Sequence, residues 1–256
     1  MRRVEEVWGT AVSFDVPDAV GSDPVDEVMR WFQRVDSLFS TWRVDSEICR
    51  IARGELALDD ASPEVREVLT TCAELCEATG GCFDIAVGAR PEVVPRPGLG
   101  PLDPSGFVKG WALERAAIMF ALHGVRSLMV NAGGDVLVRG EPEPGHAWRV
   151  GVRHPTRSDS TMAVLEVTDG GVATSAPYER GDHILDPATG QPAVGVLSAT
   201  VVGPDLGIAD AWATTLVVAG PAGLTTLPTE EGYEGLVVTL DEEVISTAGF
   251  NELVAT

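Results

Sequence analysis

The chain is poor in basic residues: 18 Lys and Arg stand against 39 Asp and Glu, a formal charge of −21 over 256 residues. That balance speaks against nonspecific attachment to nucleic acid or to an anionic membrane surface, because phosphates are repelled. Any anionic ligand then needs a local site built from backbone N–H groups, a few cations or a bound metal. Long apolar runs are missing too. A helix that spans a bilayer needs about 20 apolar residues. The longest candidate, "AWATTLVVAG", is too short and reads as a buried helix, so no membrane insertion is expected. The opening "MRRVEEVWGTAVSFDV" has no apolar stretch and no small-residue cleavage site, and the expected compartment is the cytoplasm. Cysteine is scarce and unpaired in motif terms: Cys49, Cys72, Cys76 and Cys82 form no paired CxxC. Cys72 and Cys76 share a helical face, and buried reduced thiols are favoured there over a zinc site. There is no internal repeat and no low-complexity tract.

What is present is an ordinary globular composition, 45% hydrophobic and 22% charged, long enough for one large domain or two small ones. "VWGTAVSFDV" alternates as an opening strand. "DPVDEVMRWFQRVDSLFS" sets Val25, Val28, Met29, Phe32, Val35, Leu38 and Phe39 on one helical face. "SPEVREVLTTCAELCEATGG" predicts a helix with Ser62 as cap, Pro63 in the first turn and Gly80-Gly81 as the stop. A Pro/Gly-rich segment over residues 89–106 is either a linker or an ordered site loop. A helix follows from about Phe107 to His123. After it come short strands, "SLMVN", "DVLVRG", "WRVGVRH", "AVLEVT", "GVATS" and "SATVVG", then the helix "GIADAWATTLVVAG" and the strands "EGLVVTL" and "EEVIST". Strands in succession with helices clustered elsewhere point to an α+β fold and not to regular βαβ winding.

Four segments could carry chemistry. In "VNAGGDVLVRG", Gly133-Gly134 after a strand is either a hairpin turn with positive φ or an anion-binding nest of N–H groups. In "LDPSGFVKGWALERA", Ser105 and Gly106 stand before a helix with Lys109 in its first turn, a place where a phosphate could dock on free N–H groups. The plainer alternative is an ordinary helix start with an exposed lysine. In "GIADAWATT", Asp210 and Thr214 lie four apart on an apolar helix, where a carboxylate is costly to bury without a partner such as a hard cation. The alternative is an Asp that caps the helix. In "YERGDHILDPATGQP", His183 is a base, a hydrogen-bond donor or a surface residue, and Asp186-Pro187 leads into the Thr189-Gly190 turn.

In chain order, "FSTWRVDSEICRI", "GCFDIAVG", "LDPSGFVKGWALERA", "VNAGGDV", "GVATSAPYER", "HILDPATGQP" and "SATVVGPDLGIADAWATTLVVAG" resemble the successive signatures of the FAD:protein FMN transferase (ApbE) family. The likeness runs from Trp8-Gly9-Thr10 to about Gly220, and "HILDPATG" with a downstream "ADAWATT" is its specific part. The resemblance implies one ApbE-like domain over residues 1–256, with mixed, mostly antiparallel sheets, packed helices and a T-fold-like architecture. It also implies a magnesium-dependent enzyme that cleaves FAD, joins FMN to a Thr or Ser of a target flavoprotein, and releases AMP.

The residue roles follow from the same resemblance. The family's Gly-Gly-Ile-Ala-Lys-Gly motif stands here as Ser105-Gly106-Phe107-Val108-Lys109-Gly110, preceded by Asp103. Magnesium is implied at the Val108 carbonyl and at the side chains of Asp210 and Thr214. FAD is implied at Asp103, Ser105, Gly106, Lys109, Gly133, Gly134, Asp135, Thr174, Ser175, His183 and Ile184. His183 is the implied base, since an unperturbed imidazole titrates near about 6.5. Lys109 is the fixed cation, and Asp186 orients His183 or binds substrate. Ser105, Phe107, Ala176 and Pro177 depart from the family pattern at the flavin pocket, and Cys49 and Ala52 replace the usual Ser and Asn. Two other activities remain compatible with the residues: an FAD-binding module without transfer, and an FAD pyrophosphatase in which water replaces the protein hydroxyl.

Overall fold

The computed structural model describes residues 1–18, 24–89, 101–157, 159–177 and 184–255. The expected opening strand is in fact two, β1 (Arg2–Val7) and β2 (Thr10–Asp15), paired antiparallel. The chain reverses at Trp8 (φ 56°) and Gly9 (φ 71°), the left-handed pair that a two-residue hairpin requires. A tryptophan tolerates that backbone here because its ring packs 4.7 Å from Phe32 and its Nε1 donates to the Phe32 carbonyl at 3.2 Å. Helix α1 (Val25–Phe39) buries Val25, Val28, Phe32, Val35, Leu38 and Phe39, the face its spacing predicts, with Met29 at the margin.

The short helix α2 (Glu47–Ala52), not anticipated from sequence, is capped by Ser46, whose hydroxyl accepts from the Cys49 N–H at 3.3 Å. Helix α3 (Pro63–Ala78) begins as expected, but Ser62 makes no side-chain cap. Its hydroxyl donates to Glu47 at 2.6 Å and its N–H to the same carboxylate at 2.8 Å, so Ser62 ties α3 to α2 instead. Cys72 lies in the core, and burial pushes its thiol up to about 12. All four cysteines are free thiols. The Pro/Gly-rich segment falls largely on residues 90–100, outside the described residues.

Helix α4 (Ser105–Leu122) starts at Ser105, two residues ahead of the expected Phe107. It is followed by β3 (Leu128–Ala132), β4 (Asp135–Arg139), β5 (Trp148–Arg153), β6 (Thr161–Val167), β7 (Gly170–Ser175) and β8 (Val196–Gly203). Helix α5 (Leu206–Ala219), β9 (Glu234–Thr239), β10 (Val244–Ser246) and α6 (Ala248–Glu252) complete the chain. One eight-stranded sheet runs β1-β2-β3-β4-β7-β8-β9-β10, and β5-β6 forms a separate hairpin. Every described pairing is antiparallel. Among the described residues no helix is long and apolar enough to cross a membrane.

The middle of the large sheet is covered on both faces. Leu137, Ala173, Val201 and Val237 face one core with α1, α4 and α5. Their strand neighbours Val136, Val138, Val172, Val202, Leu236 and Val238 face a second core with the β5-β6 hairpin and Phe250 of α6. Side chains alternate across a strand, so burial on both faces explains why "DVLVR" and "GLVVT" are continuous apolar runs.

Helices α4 and α5 meet backbone to backbone at glycines. A Cβ on Gly110 would lie 2.4 Å from the Gly207 nitrogen and 2.5 Å from the Leu206 carbonyl carbon. No side chain fits there without moving a helix. Gly110→Ala is therefore expected to cost about 1–3 kcal/mol of stability through overpacking. Urea denaturation followed by circular dichroism checks this, and an unchanged midpoint would show slack between the two helices.

Candidate active site

The start of α5 decides what Asp210 is for. Asp205 is the cap: its carboxylate accepts from the Ile208 N–H at 2.9 Å. Asp210 lies more than one turn further in, with its side chain 6% exposed, so the alternative of a capping aspartate does not hold. The two threonines that follow divide their roles. Thr215 donates back to the Ala211 carbonyl at 2.9 Å, as a hydroxyl inside a helix commonly does. The Thr214 hydroxyl instead points off the helix and lies 3.3 Å from the Ser175 hydroxyl at the end of β7.

Helix α4 presents the complementary group. Asp103 accepts from the Ser105 N–H at 3.1 Å, and its own N–H donates to the Ile85 carbonyl at 2.7 Å, which ties the helix start to the "CFDIAV" segment. Lys109 is not the exposed lysine of the plainer alternative, since its side chain is only 22% exposed. Its ammonium is ion-paired with Asp135 and lies 3.8 Å from Asp210 Oδ2. The Asp135 side chain is 2% exposed, and its other oxygen accepts from the Thr174 N–H of β7 at 3.1 Å. Gly106 lets this helix start come close: a Cβ there would sit 3.3 Å from the Phe83 ring and 3.4 Å from the Thr214 hydroxyl.

These groups line one cleft. Asp103, Ser105, Gly106, Lys109, Gly133, Thr174, Ser175, Ile184, Asp210 and Thr214, all anticipated from sequence, reach it together. Among the described residues lining it, Lys109 is the single basic side chain against Asp84, Asp103 and Asp210. Val108 lies in the first turn of α4 with its side chain in the core. Gly134, Asp135 and Asp186, also anticipated, do not line the cleft. Gly133 and Gly134, with φ of 62° and 104°, form the β3-β4 hairpin turn, and the Gly134 N–H donates to the Asn131 side chain at 3.1 Å. The nest reading thus loses Gly134, because that donor is already engaged. Asp135 lies beneath the cleft as the partner of Lys109. The Asp186 carboxylate accepts from the Ala188 N–H at 2.8 Å and from the Thr189 hydroxyl at 3.0 Å, so it builds the turn. His183 lies outside the described residues.

Sequence reasoning gave no role to Cys82, Phe83, Asp84 and Ile85, which form one wall of the cleft. Their signal was the segment following the Gly80-Gly81 helix stop, where both glycines have positive φ and turn the chain toward α4. Burial and the nearby Asp186 carboxylate raise the Cys82 thiol above its usual range.

A buried carboxylate, a hydroxyl and a lysine converging from different elements is the layout of a site that orients a polar small molecule. The sequence matches the ApbE family over residues 8–96 and 93–237. A curated relative from Klebsiella pneumoniae (strain 342), named FAD:protein FMN transferase, is 27% identical over 264 residues, covering 83% of this chain and 75% of its own. A relative of the same name from Vibrio cholerae is 28% identical over 242 residues, covering 76% and 72%. Among solved structures, the ApbE protein of Thermotoga maritima has the same fold, with a TM-score of 0.88 at 23% identity over 100% of this chain and 99% of its own. The flavin transferase ApbE from Vibrio cholerae gives 0.84 at 23% identity, over 99% and 98%. The chain belongs to the ApbE family, an enzyme family whose curated relatives named above are transferases.

The turn role of Asp186 has a direct consequence. Asp186→Ala removes the acceptors for Ala188 and Thr189 while leaving the surrounding backbone bonds in place. Ala188 and Thr189 are exposed, so water takes over from the lost acceptor and the effect is on the turn and not on the whole domain. Amide exchange at Ala188 is expected to accelerate in this variant, measured by hydrogen–deuterium exchange; unchanged protection would remove the carboxylate from the turn's support.

Proposed function

We propose that this chain is a magnesium-dependent FAD:protein FMN transferase, acting on FAD and on a target flavoprotein with an acceptor Thr or Ser. The carrying observation is the meeting of Asp210, Thr214 and Lys109 in one cleft of an otherwise acidic protein. FAD enters this reading from the names of the curated relatives. In the proposed reaction the acceptor oxygen forms a bond to the flavin-side phosphorus. The pyrophosphate P–O bond breaks, AMP leaves with the electron pair, and the hydroxyl proton goes to a base.

The residues fit a hard cation. A buried carboxylate and a hydroxyl one turn apart on α5, near the first turn of α4, form an oxygen donor set of the kind magnesium takes. Among the described residues no three His, Cys, Asp or Glu side chains cluster to cage a metal. That suits magnesium, which typically uses one or two carboxylates and fills its shell with water and substrate phosphates. Asp210, Thr214 and the Val108 carbonyl would hold it, and when bound it would neutralise charge developing on the pyrophosphate.

The protein's own groups supply the remainder. Lys109 of α4 adds a fixed positive charge to the cleft. Gly106 keeps the approach to Thr214 open. His183 is the proposed base, carried over from the family resemblance; the next residue in sequence, Ile184, is buried and lines the cleft. Asp186 contributes by shaping the turn that follows.

Incubation with FAD, magnesium and a Thr-bearing flavoprotein target tests the function. FMN attached to the target with release of AMP is expected, read by mass spectrometry. Free FMN with AMP would replace the transferase reading by a pyrophosphatase, and intact FAD would leave a binding module. Asp210→Ala is expected to abolish the magnesium-dependent turnover while the fold persists; normal turnover would sink the metal assignment. His183→Asn is expected to lower the rate by about 10²–10⁴-fold with FAD affinity little changed, as loss of a general base does. A parallel loss of FAD affinity would make His183 a binding group instead.

A further inference from the structure

Two buried carboxylates compete for one ammonium at the base of the cleft. Lys109 is ion-paired with Asp135, yet its Nζ is only 3.8 Å from Asp210 Oδ2. We propose that Asp135 is a positioning residue: it holds the Lys109 ammonium off Asp210 and so keeps that carboxylate available to a divalent cation. The proposal rests on the metal reading given above.

The geometry gives Asp135 the stronger hold. Its side chain is the more buried of the two carboxylates, 2% against 6% exposed, and the Thr174 N–H fixes its second oxygen at 3.1 Å. Its backbone follows directly from the Gly133-Gly134 hairpin turn, and its strand pairs with β7, which fixes the carboxylate in place. Lysine is a flexible stem bearing a point charge, so it settles on whichever carboxylate is better prepared. The close contact of Gly110 with Gly207 holds α4 against α5, which keeps Asp210 within reach if the Asp135 charge is lost. A lysine docked on Asp210 would then occupy the charge that a metal needs, and the two cations would exclude one another.

The test is a double-mutant cycle on metal binding, with MgCl2 titrated into the free protein by calorimetry and no FAD present. Asp135→Asn keeps an acceptor for the Thr174 N–H and removes only the charge. It is expected to weaken magnesium binding by about tenfold, and Lys109→Met in that background to restore it, a coupling within the usual range for contacting residues. In the wild-type background Lys109→Met is expected to change the affinity by a smaller factor than it does in Asp135→Asn, since Asp135 already draws the ammonium toward itself. Asp135→Ser removes the same charge with a smaller side chain and is expected to repeat the result.

An equal factor for Lys109→Met in both backgrounds would overturn the proposal, since that is the signature of a general field and not of a moved lysine. Unchanged affinity in Asp135→Asn would overturn it as well. Asp210→Ala separates the two levels of argument. Loss of the binding heat in Asp210→Ala supports the metal site on which the proposal stands. Full binding without Asp210 would remove that site, and the proposal with it.

Discussion

Everything in the cleft depends on how closely α4 approaches α5. That distance is set by Gly110 against the backbone of Leu206 and Gly207, where even one methyl group has no room. Lys109 immediately precedes Gly110, and Asp210 follows Gly207 by less than one turn. The glycine contact therefore fixes the separation of the Lys109 and Asp210 backbones, and the flexible lysine stem places its ammonium within that frame. Interiors are packed as densely as crystals, so a contact of this kind is effectively rigid. The neighbouring Gly106 is less constrained, since an added Cβ would lie 3.3 Å from the Phe83 ring and 3.4 Å from the Thr214 hydroxyl, both side-chain atoms.

The second constraint is electrostatic. A protein with a formal charge of −21 places a lysine where it meets two buried carboxylates. Burying an aspartate is costly unless it is paired, and Asp135 meets that cost with Lys109 and the Thr174 N–H. Asp210 lies at the open side of the same arrangement, lining the cleft with Thr214 while Asp135 stays beneath. Among the described residues, an anion approaching such a cleft meets one lysine and several carboxylates, and the proposed cation would offset that balance.

The large sheet supports this by being covered on both faces. The β5-β6 hairpin and α6 pack on one side and helices α1, α4 and α5 on the other, so β4 and β7 are held from both directions. Asp135 opens β4, and Thr174 and Ser175 close β7. Two adjacent antiparallel strands thus deliver their ends to the same edge, beneath the starts of both helices.

How much of this could be read from the chain differs by element. The helical face of α1 and the strands β3 to β9 follow from apolar spacing, which is local information. The Trp8-Gly9 turn was missed because a tryptophan at positive φ is unusual, and what permits it is a contact with Phe32, far away in sequence. Ser62 looks like a cap and is not one, because Glu47 takes its hydroxyl first. Asp210 and Thr214 were legible as a pair, since a polar residue inside an apolar helix signals itself at four-residue spacing. The sequence by itself determined the residue types of the cleft, the periodicities of the helices and strands, and the membership of the family. Only the tertiary structure decided that Asp135 lies under Lys109, that Asp186 serves its own turn, and that Gly134 has already given its N–H to Asn131. Those outcomes depend on which of several competing partners arrives first at hydrogen-bonding distance, and spacing along the chain does not encode that choice.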